Sequence, residues 1–311
     1  MNTKSDFIDL INSEFVVHDG AFGTLLQERG LRPDELPEEW NIKRPDIVRN
    51  VHLEYLKAGA QIITTNTFGG STVKMGMRGK DALVKDVNKR GVKLAFEALG
   101  EFASSRKNLK LQGNGRAYVA GSVGPLGKML GIEITEEEAE RAFSLQVQLL
   151  AEAGADLILI ETMIDLGEAS LALKSALRET RLPVVVSLTF NRTKQNNYRT
   201  LFGNSPVEAV KRLEDGGAYA VGANCGLIEH YVDVIREMRG VSRLPLILYP
   251  NAGQPVLRDG VTFYETKPGD MIVWLEDSIE AGATIIGGCC GTTPEYISMI
   301  SQRIRHKKRE R

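Results

Sequence analysis

The stretch LLAEAGADLILIETM, residues 149–163, shows on a small scale how this chain is organised. A helical pattern closes on a glycine, and a run of apolar and β-branched residues follows at once. Glycine tolerates the left-handed conformation that ends many helices. A continuous apolar run of about five to eight residues is typical of a strand buried on both faces. The stretch therefore predicts a helix followed by a parallel β-strand.

The same phrase returns three more times along the chain. It is present in EYLKAGAQIITTNTF (54–68), RLEDGGAYAVGANCG (212–226) and SIEAGATIIGGCCG (278–291). Four further apolar runs lie among these phrases: FVVHDG (15–20), AYVAGSVG (117–124), LPVVVSLTF (182–190) and LPLILYPN (244–251). The chain therefore contains eight predicted strands.

Helical patterns separate these strands, and one of them carries a capping box formed by Thr135 and Glu138. The regular alternation of strand and helix predicts an α/β protein with a single (β/α)8 TIM barrel over residues 1–304 and a basic tail over 305–311. The alternative is an open doubly wound sheet, which usually has a glycine fingerprint after its first strand. The segment DGAFGTLL (19–26) contains only a loose GxxG, which favours the barrel.

Composition restricts the function classes. The 311 residues are 42% hydrophobic and 25% charged, with a net charge of -1, as is ordinary for a soluble globular protein. No global charge attracts nucleic acid or an anionic membrane. The N-terminus has no long apolar segment, and no window approaches the roughly 18 apolar residues of a membrane span. We therefore expect a cytoplasmic protein with no nucleic-acid or membrane partner.

The active sites of such barrels lie at the carboxyl ends of the strands. Polar residues predicted at these ends are Asp19, Thr65, Asn66, Thr67, Ser122, Glu161, Thr162, Asn224, Cys225, Asn251, Cys289 and Cys290. This set includes all three cysteines of the chain. Three separately packed thiols would be the plainer interpretation, but their convergence on one rim favours a shared metal site.

Three thiolates select zinc, since calcium and magnesium prefer oxygen ligands. One zinc ion per chain with three protein ligands keeps a fourth position open, as in catalytic sites. Adjacent strand residues point to opposite faces, so the glycines at 287, 288 and 291 are expected to let Cys289 and Cys290 turn toward one ion. An electron-rich ion of this kind suits a substrate thiol, which coordination deprotonates. This chemistry indicates S-alkyl transfer.

Several motifs around these residues resemble those of a known protein family. GANC (222–225) together with GGCCGTTPE (287–295) resembles the zinc signature of the homocysteine S-methyltransferase family. DGAFGT (19–24), LILIET (157–162) and PNAG (250–253) are similar to further family blocks in the same order. TNTFGG and YPNAGQPV are most similar to the homocysteine-binding module of cobalamin-dependent methionine synthase. The resemblance implies a (β/α)8 barrel that methylates homocysteine, held as a zinc-bound thiolate, to methionine.

The resemblance also implies roles for individual residues. Cys225, Cys289 and Cys290 match the zinc ligands, and Asp19 and Glu161 match acidic residues that face the substrate, with Glu161 as the partner of its ammonium group. Backbone amides of Gly20 and Ala21 would hold the substrate carboxylate. The remaining predicted substrate-binding residues are Asn66, Ser122, Asn224 and Asn251. His18 and His52 are interpreted as packed or surface histidines and not as ligands, because three sulfurs and the substrate already fill four positions.

The methyl donor is left open by these residues. Family members use small methyl-onium compounds, or methylcobalamin, which a separate corrinoid protein would carry in this case. An acceptor thiol other than homocysteine is a further alternative. A zinc-dependent lyase or hydrolase would usually recruit histidine or carboxylate ligands, and a zinc or thiol sensor would need a fourth protein ligand. Neither feature is present in the sequence beside the cysteines.

Overall fold

The computed structural model describes residues 3–105, 116–258, 261–305 and 307. Each of the eight predicted strands forms within the apolar run that predicted it. Numbered β1 to β8 in chain order, they are Val16–Val17, Ile62–Thr64, Tyr118–Val123, Leu157–Met163, Val184–Leu188, Ala220–Asn224, Leu246–Tyr249 and Ala283–Ile286.

Twelve α-helices lie within the described residues. Numbered α1 to α12, they are Thr3–Ser13, Gly23–Glu28, Trp40–Lys43, Pro45–Ala58, Thr72–Gly76, Val84–Ser105, Glu136–Glu152, Leu166–Glu179, Pro206–Asp215, Ile228–Arg239, Pro268–Glu280 and Pro294–Ile304. The glycine of each recurring phrase has a positive φ, between 94° and 110°, which confirms its role in ending the preceding helix. The predicted capping box also forms, with Thr135 and Glu138 each bonded to the other's backbone amide.

The strands form a closed barrel. Seven neighbouring pairs are parallel and follow the order β1, β8, β7, β6, β5, β4, β3 and β2. The ring is completed where His18, just after β1, pairs with Ile62 of β2. At this seam the amide of Gln61 donates to the Val17 carbonyl at 2.7 Å, and the amide of Asp19 donates to the Ile62 carbonyl at 3.0 Å. The predicted TIM barrel is therefore confirmed, and the open sheet is excluded.

Strand residues alternate between two cores. One set faces the surrounding helices, and the other fills the barrel interior, where Ile62, Leu159 and Ile247 belong to one buried cluster. Side chains of α1 close the bottom of this interior, since Phe7 packs against Tyr118 with ring centroids 5.2 Å apart. No sequence pattern identified this plug, because a single helix turn of apolar residues resembles any amphipathic surface helix.

The alternation that places apolar residues inside the barrel also places polar residues at its top. Two residues beyond the inward-facing Val16, Ile62, Ala120, Leu159, Val185 and Ile247 stand His18, Thr64, Ser122, Glu161, Ser187 and Tyr249. Because side chains repeat every two residues along a strand, these six form the uppermost inner layer. The barrel is apolar through most of its depth and becomes polar only at the carboxyl ends of its strands.

The loops at this end carry secondary structure of their own. Two short antiparallel hairpins rise from the rim, Asn191–Arg192 with Tyr198–Arg199 after β5, and Pro255–Arg258 with Val261–Tyr264 after β7. The second hairpin occupies most of the long rim loop that follows Asn251. Among the described helices, none is both long enough and apolar enough to cross a membrane. The predicted basic tail falls mostly outside the described residues.

Candidate active site

A cavity of about 370 Å³ opens above the polar layer. Its lining comes from loops and strand ends around the whole barrel. The residues are His18, Asp19, Gly20, Ala21, Phe22, Gly23, Thr24, Pro37, Glu38, Thr64, Thr65, Asn66, Phe68, Ser122, Glu161, Thr162, Cys225, Tyr249, Gly288, Cys289 and Cys290. The cavity thus joins both predicted carboxylates and all three cysteines in one space.

The three thiols stand together on one wall of this cavity. The sulfur of Cys290 lies 3.9 Å from that of Cys225 and 4.0 Å from that of Cys289. All three sulfur atoms are within 4.8 Å of one another. Zinc–sulfur bonds of about 2.3 Å in a tetrahedral arrangement place sulfur atoms about 3.8 Å apart. The spacing therefore fits three ligands of one tetrahedral zinc ion. Within the described residues, these cysteines are the only cluster of His, Cys, Asp or Glu with metal-binding geometry.

Two features of the backbone bring the thiols together: a turn after β8 and a left-handed conformation at Cys225. After β8 the amide of Cys289 still donates to the Pro250 carbonyl at 2.7 Å, and the chain then turns, so that the amide of Thr292 donates to the Cys289 carbonyl at 3.0 Å. Gly291 has a φ of 78°, which suits glycine. The chain therefore leaves strand geometry with Gly291 in the expected role, whereas Gly287 and Gly288 have no positive φ. Cys225 differs, because the cysteine itself takes the left-handed conformation, with a φ of 64°.

The proximity of the sulfurs changes their acidity. The thiols of Cys225 and Cys289 donate to Cys290 and lower the pKa of Cys290 to about 3. The pKa of Cys289 is raised well above its usual value by its hydrogen bonds to the other two thiols and by burial. The cluster therefore carries one negative charge readily and resists further ionisation unless a cation joins it. This property suits a metal site.

Asp19 is buried and held in place by β2. Its Oδ2 accepts the amide of Thr64 at 2.6 Å, and its Oδ1 accepts the Thr64 hydroxyl at 3.0 Å. Burial raises the pKa of Asp19 well above its usual value, although these hydrogen bonds act in the opposite direction. The neighbouring His18 stacks on Tyr249 with ring centroids 4.7 Å apart. His18 is therefore packed, as predicted.

Glu161 stands across the cavity from Asp19 at the end of β4. Its Oε1 accepts the hydroxyl of Ser122 at 2.6 Å, and Tyr249 provides a second side-chain hydrogen bond. Burial raises the pKa of Glu161 to about 7. An acid of this kind is readily stabilised as a carboxylate by a cation that enters the cavity. The geometry suits the recognition of an ammonium group.

Other predicted residues have hydrogen-bond partners within the protein. The amide of Ala21 donates to the Thr292 hydroxyl at 3.0 Å. The Asn66 side chain donates to the Pro37 carbonyl at 2.7 Å and to Asn41 at 3.0 Å, although Asn66 still lines the cavity. Ser122 orients Glu161. Asn224 and Asn251 lie beside the cysteines and are not among the lining residues.

Asn251 has a feature of its own. Its Oδ1 is buried and has no hydrogen-bond partner among the described residues, and its side chain also interacts with the Cys225 thiol. A buried acceptor without a donor is costly. Its position beside three thiols fits a site that a cation or a ligand donor completes.

Several residues of the site were not among the predicted substrate-binding or catalytic residues. Thr64 fixes Asp19, and Tyr249 joins the network of Glu161. Tyr264 reaches Cys290 from the hairpin after β7, and its hydrogen bond lowers the Cys290 pKa further. The strand alternation could have identified Thr64 and Tyr249, since both follow inward-facing apolar residues. Nothing in the sequence near Tyr264 indicates that the hairpin folds back over the thiols.

A (β/α)8 barrel with three convergent thiols and two carboxyls in one cavity defines a class of barrel proteins with a candidate metal site at the carboxyl ends of the strands. Within that class, the homocysteine S-methyltransferase family matches residues 16–304. The chain belongs to this family, as the resemblance implied.

Two relatives place the chain more closely. It is 30% identical to methionine synthase of Mycobacterium tuberculosis over 319 aligned positions, which cover 98% of this chain and 26% of that protein. The chain thus spans about a quarter of the length of that relative. Its structure is similar to the metallated form of the homocysteine methyltransferase MmuM from Escherichia coli, with a TM-score of 0.80 and 26% identity over 97% of this chain and 100% of that one.

Proposed function

We propose that this chain is a zinc-dependent homocysteine S-methyltransferase that forms methionine. One observation carries the proposal. Three thiols with the spacing of zinc ligands share a cavity with Glu161 and Asp19, which are suited to an amino acid substrate. Membership of the family supports the same activity, and so do the similarities to a methionine synthase and to a homocysteine methyltransferase.

The residues fit zinc by three criteria. Their sulfur spacing matches a tetrahedral ion, their donor type selects zinc over hard cations, and the buried Oδ1 of Asn251 beside them is an unpaired acceptor. Cys225, Cys289 and Cys290 would hold the ion. Zinc bound there would lower the pKa of the homocysteine thiol and present it as a nucleophile at the open fourth position.

The remaining residues bind and orient the amino acid part of the substrate. Glu161 pairs with the ammonium group, and that charge stabilises the Glu161 carboxylate against its raised pKa. Ser122 and Tyr249 hold the carboxylate in position. Asp19, which lines the same cavity, is fixed by Thr64, and the turn at Gly20 lies next to it for the substrate carboxylate.

The donor belongs to one of two classes. A methyl-corrinoid carried by a separate protein is one, and a small methyl-onium compound is the other. The similarity to a methionine synthase four times as long favours a donor delivered by another protein unit. The complete overlap with the E. coli homocysteine methyltransferase, a single barrel, favours a donor that acts directly. Both classes would approach from the mouth of the cavity, where Phe22 and Phe68 line it.

Methionine formation tests the proposal. Zinc-loaded protein is incubated with homocysteine and, separately, S-methylmethionine, S-adenosylmethionine, betaine or methylcobalamin, and methionine is measured. We expect turnover with one donor class and none for the Cys290→Ser variant. Cysteine in place of homocysteine tests the acceptor, since its side chain is one methylene shorter between the thiol and the ammonium group. Failure with every donor, or equal turnover of cysteine, would refute the proposed substrate.

A further inference from the structure

Asn224, the last residue of β6, has an unusually complete set of contacts. The side chain is fully buried. Its Oδ1 accepts the backbone amide of Thr162 at 2.9 Å and the hydroxyl of Ser187 at 2.8 Å. Its Nδ2 donates to the Thr162 hydroxyl at 2.7 Å and lies 3.9 Å from the sulfur of Cys289.

The orientation of this amide follows from its partners. A backbone N–H can only donate, so the atom facing the Thr162 amide is the oxygen. The amino group then faces the Thr162 hydroxyl and the Cys289 sulfur. The 3.9 Å separation is at the long end for an N–H···S hydrogen bond. The Asn224 side chain therefore makes two hydrogen bonds to Thr162 and directs its second amide hydrogen toward the sulfur of Cys289.

Strained backbone lies on both sides of Asn224. Among the described residues, only Thr162, Asn196 and Cys225 have a positive φ without being glycine. Asn196 is in an exposed hairpin turn, where asparagine tolerates this conformation. For Thr162 and Cys225 the left-handed conformation is unfavourable, because it costs such residues about 1–3 kcal/mol. The Asn224 side chain makes two hydrogen bonds to Thr162, and Asn224 directly precedes Cys225 in the sequence.

The strained residue Thr162 lies in a β-bulge next to Glu161. The pairing of β4 with β5 shifts register between Ile160 and Met163, so Glu161 and Thr162 form a bulge. Bulges next to active sites redirect a side chain. Glu161, the proposed ammonium partner, therefore depends on the bulge that Asn224 fastens. The turn at Cys225 similarly brings its thiol to Cys290.

We propose that Asn224 is a positioning residue that fastens both halves of the site. The inference rests on the proposed function, in which Glu161 binds the substrate and the cysteines bind zinc. Asn224 fixes the bulge that carries Glu161, aligns the turn that presents Cys225, and donates to the sulfur of Cys289. Loss of its amide should disturb metal binding and homocysteine binding together, although Asn224 touches neither the substrate nor the proposed ion.

The test compares Asn224→Asp and Asn224→Ala with a matched control, Asn88→Asp. Asn88 is equally buried, and its Nδ2 donates to the carbonyls of Gly70 and Val84, each at 2.7 Å. The control therefore suffers the same chemical change outside the cysteine cluster. Metal affinity is measured by competition with a chromophoric chelator, and the cobalt-substituted protein gives the sulfur-to-cobalt charge-transfer bands.

Both Asn224 variants should bind zinc about 10- to 100-fold more weakly, as is typical when an outer hydrogen bond to a metal ligand is lost. Their charge-transfer bands should shift, and the homocysteine KM should rise in the same variants. Asn88→Asp should keep the parent bands and affinity. Parent-like metal affinity, bands and homocysteine KM in Asn224→Ala would overturn the inference.

A double variant distinguishes loss of the positioning role of Asn224 from a general loss of folding. Glycine adopts a positive φ without penalty, so Asn224→Ala with Thr162→Gly relieves the strain at the bulge. We expect the double variant to recover homocysteine KM while its cobalt bands stay shifted, because no donor faces Cys289. Recovery of neither property in a folded double variant would contradict the proposed fastening. The metal measurements need no methyl donor, so they stand even if the proposed methyl transfer is refuted.

Discussion

The floor of the cavity and the loops around its mouth are built in different ways. At the floor and directly behind it, hydrogen bonds link five side chains to one another or to a common neighbour, and strand pairing fixes their backbones: Ser122, Glu161 and Tyr249, which line the cavity, and Ser187 and Asn224 behind them. The rim loops expose large apolar side chains instead: Met129, Ile132, Leu201, Phe202, Leu257 and Phe263. The floor is held by many specific hydrogen bonds, whereas the rim loops present exposed apolar side chains. In the proposed function, the barrel therefore binds the acceptor thiol and the loops face the methyl donor.

Removal of one thiol should have the largest effect on the site. Cys290→Ser takes away the sulfur that contacts both of the others. Loss of an outer-shell partner already costs about 10- to 100-fold, so loss of a ligand should lower zinc affinity and kcat/KM by more than about 100-fold. Zinc content by mass spectrometry and methionine formation measure the two effects. Full activity of this variant with stoichiometric zinc would contradict the site assignment.

Neutralising Glu161 should have the next largest effect. Glu161→Gln keeps the shape but removes the charge that we propose to pair with the substrate ammonium group, and a charge-assisted hydrogen bond contributes about 1.5–3 kcal/mol. The homocysteine KM should rise about 10- to 100-fold, with zinc content unchanged.

Glu168→Gln is the matched control for that variant. Burial raises the pKa of Glu168 to about 7, as it does for Glu161, but its Oε1 accepts the Leu126 amide at 2.7 Å outside the cavity lining. This control should leave homocysteine KM within about twofold. An equal rise of KM in both variants would show that burial, not substrate contact, explains the effect.

His52 contrasts with Asn224, because it is equally buried but its ring nitrogens have no hydrogen-bond partner in the described part of the chain. Neither ring nitrogen has a hydrogen bond among the described residues, and burial alone lowers the pKa of His52 to about 3. The unfolded chain takes up a proton near pH 6.5 that the folded chain does not. Stability is therefore lost as pH falls below about 6.5, by about 2 kcal/mol at pH 5.

The His52→Leu variant should lose about 2 kcal/mol less stability than the parent between pH 7 and pH 5. Urea unfolding at the two pH values measures this difference. His18, whose pKa burial lowers to about 4, remains in both proteins and cancels in the comparison. Equal acid sensitivity of the two proteins would show that His52 finds a partner in solution.

The smallest effect is expected on the rim. Leu201 is 67% exposed, so Leu201→Ser should change the free energy of unfolding by less than about 0.5 kcal/mol. Homocysteine KM and zinc content should stay at their parent values, and any kinetic change should appear in the KM of the donor. A clear rise in homocysteine KM would show that the rim also shapes the acceptor site.

The same contrast explains what the sequence could predict. The eight strands, the glycines that end the preceding helices and the convergence of the cysteines follow from periodicity and glycine placement, and the structure confirms them. Glu161 and Asp19 also lie in the cavity, where they were expected. These features depend on strand geometry, which the apolar pattern specifies strongly.

Other features depend on contacts between distant segments. The left-handed turn at Cys225 has no signal of its own, because cysteine rarely adopts it without support from residues such as Thr162 and Asn224. The hairpin that brings Tyr264 to Cys290 has strands of four residues each, too short for a periodic pattern. The amide of Ala21 was expected to meet the substrate, but Thr292, 271 residues away, already accepts its hydrogen.

X-ray absorption at the zinc edge tests the central proposal most directly. The zinc-loaded protein should show three sulfur neighbours at about 2.3 Å together with one lighter atom. Saturating homocysteine should replace the lighter atom and raise the count to four sulfurs. Fewer than three sulfurs in the protein alone, or a sulfur count that homocysteine leaves unchanged, would contradict the account.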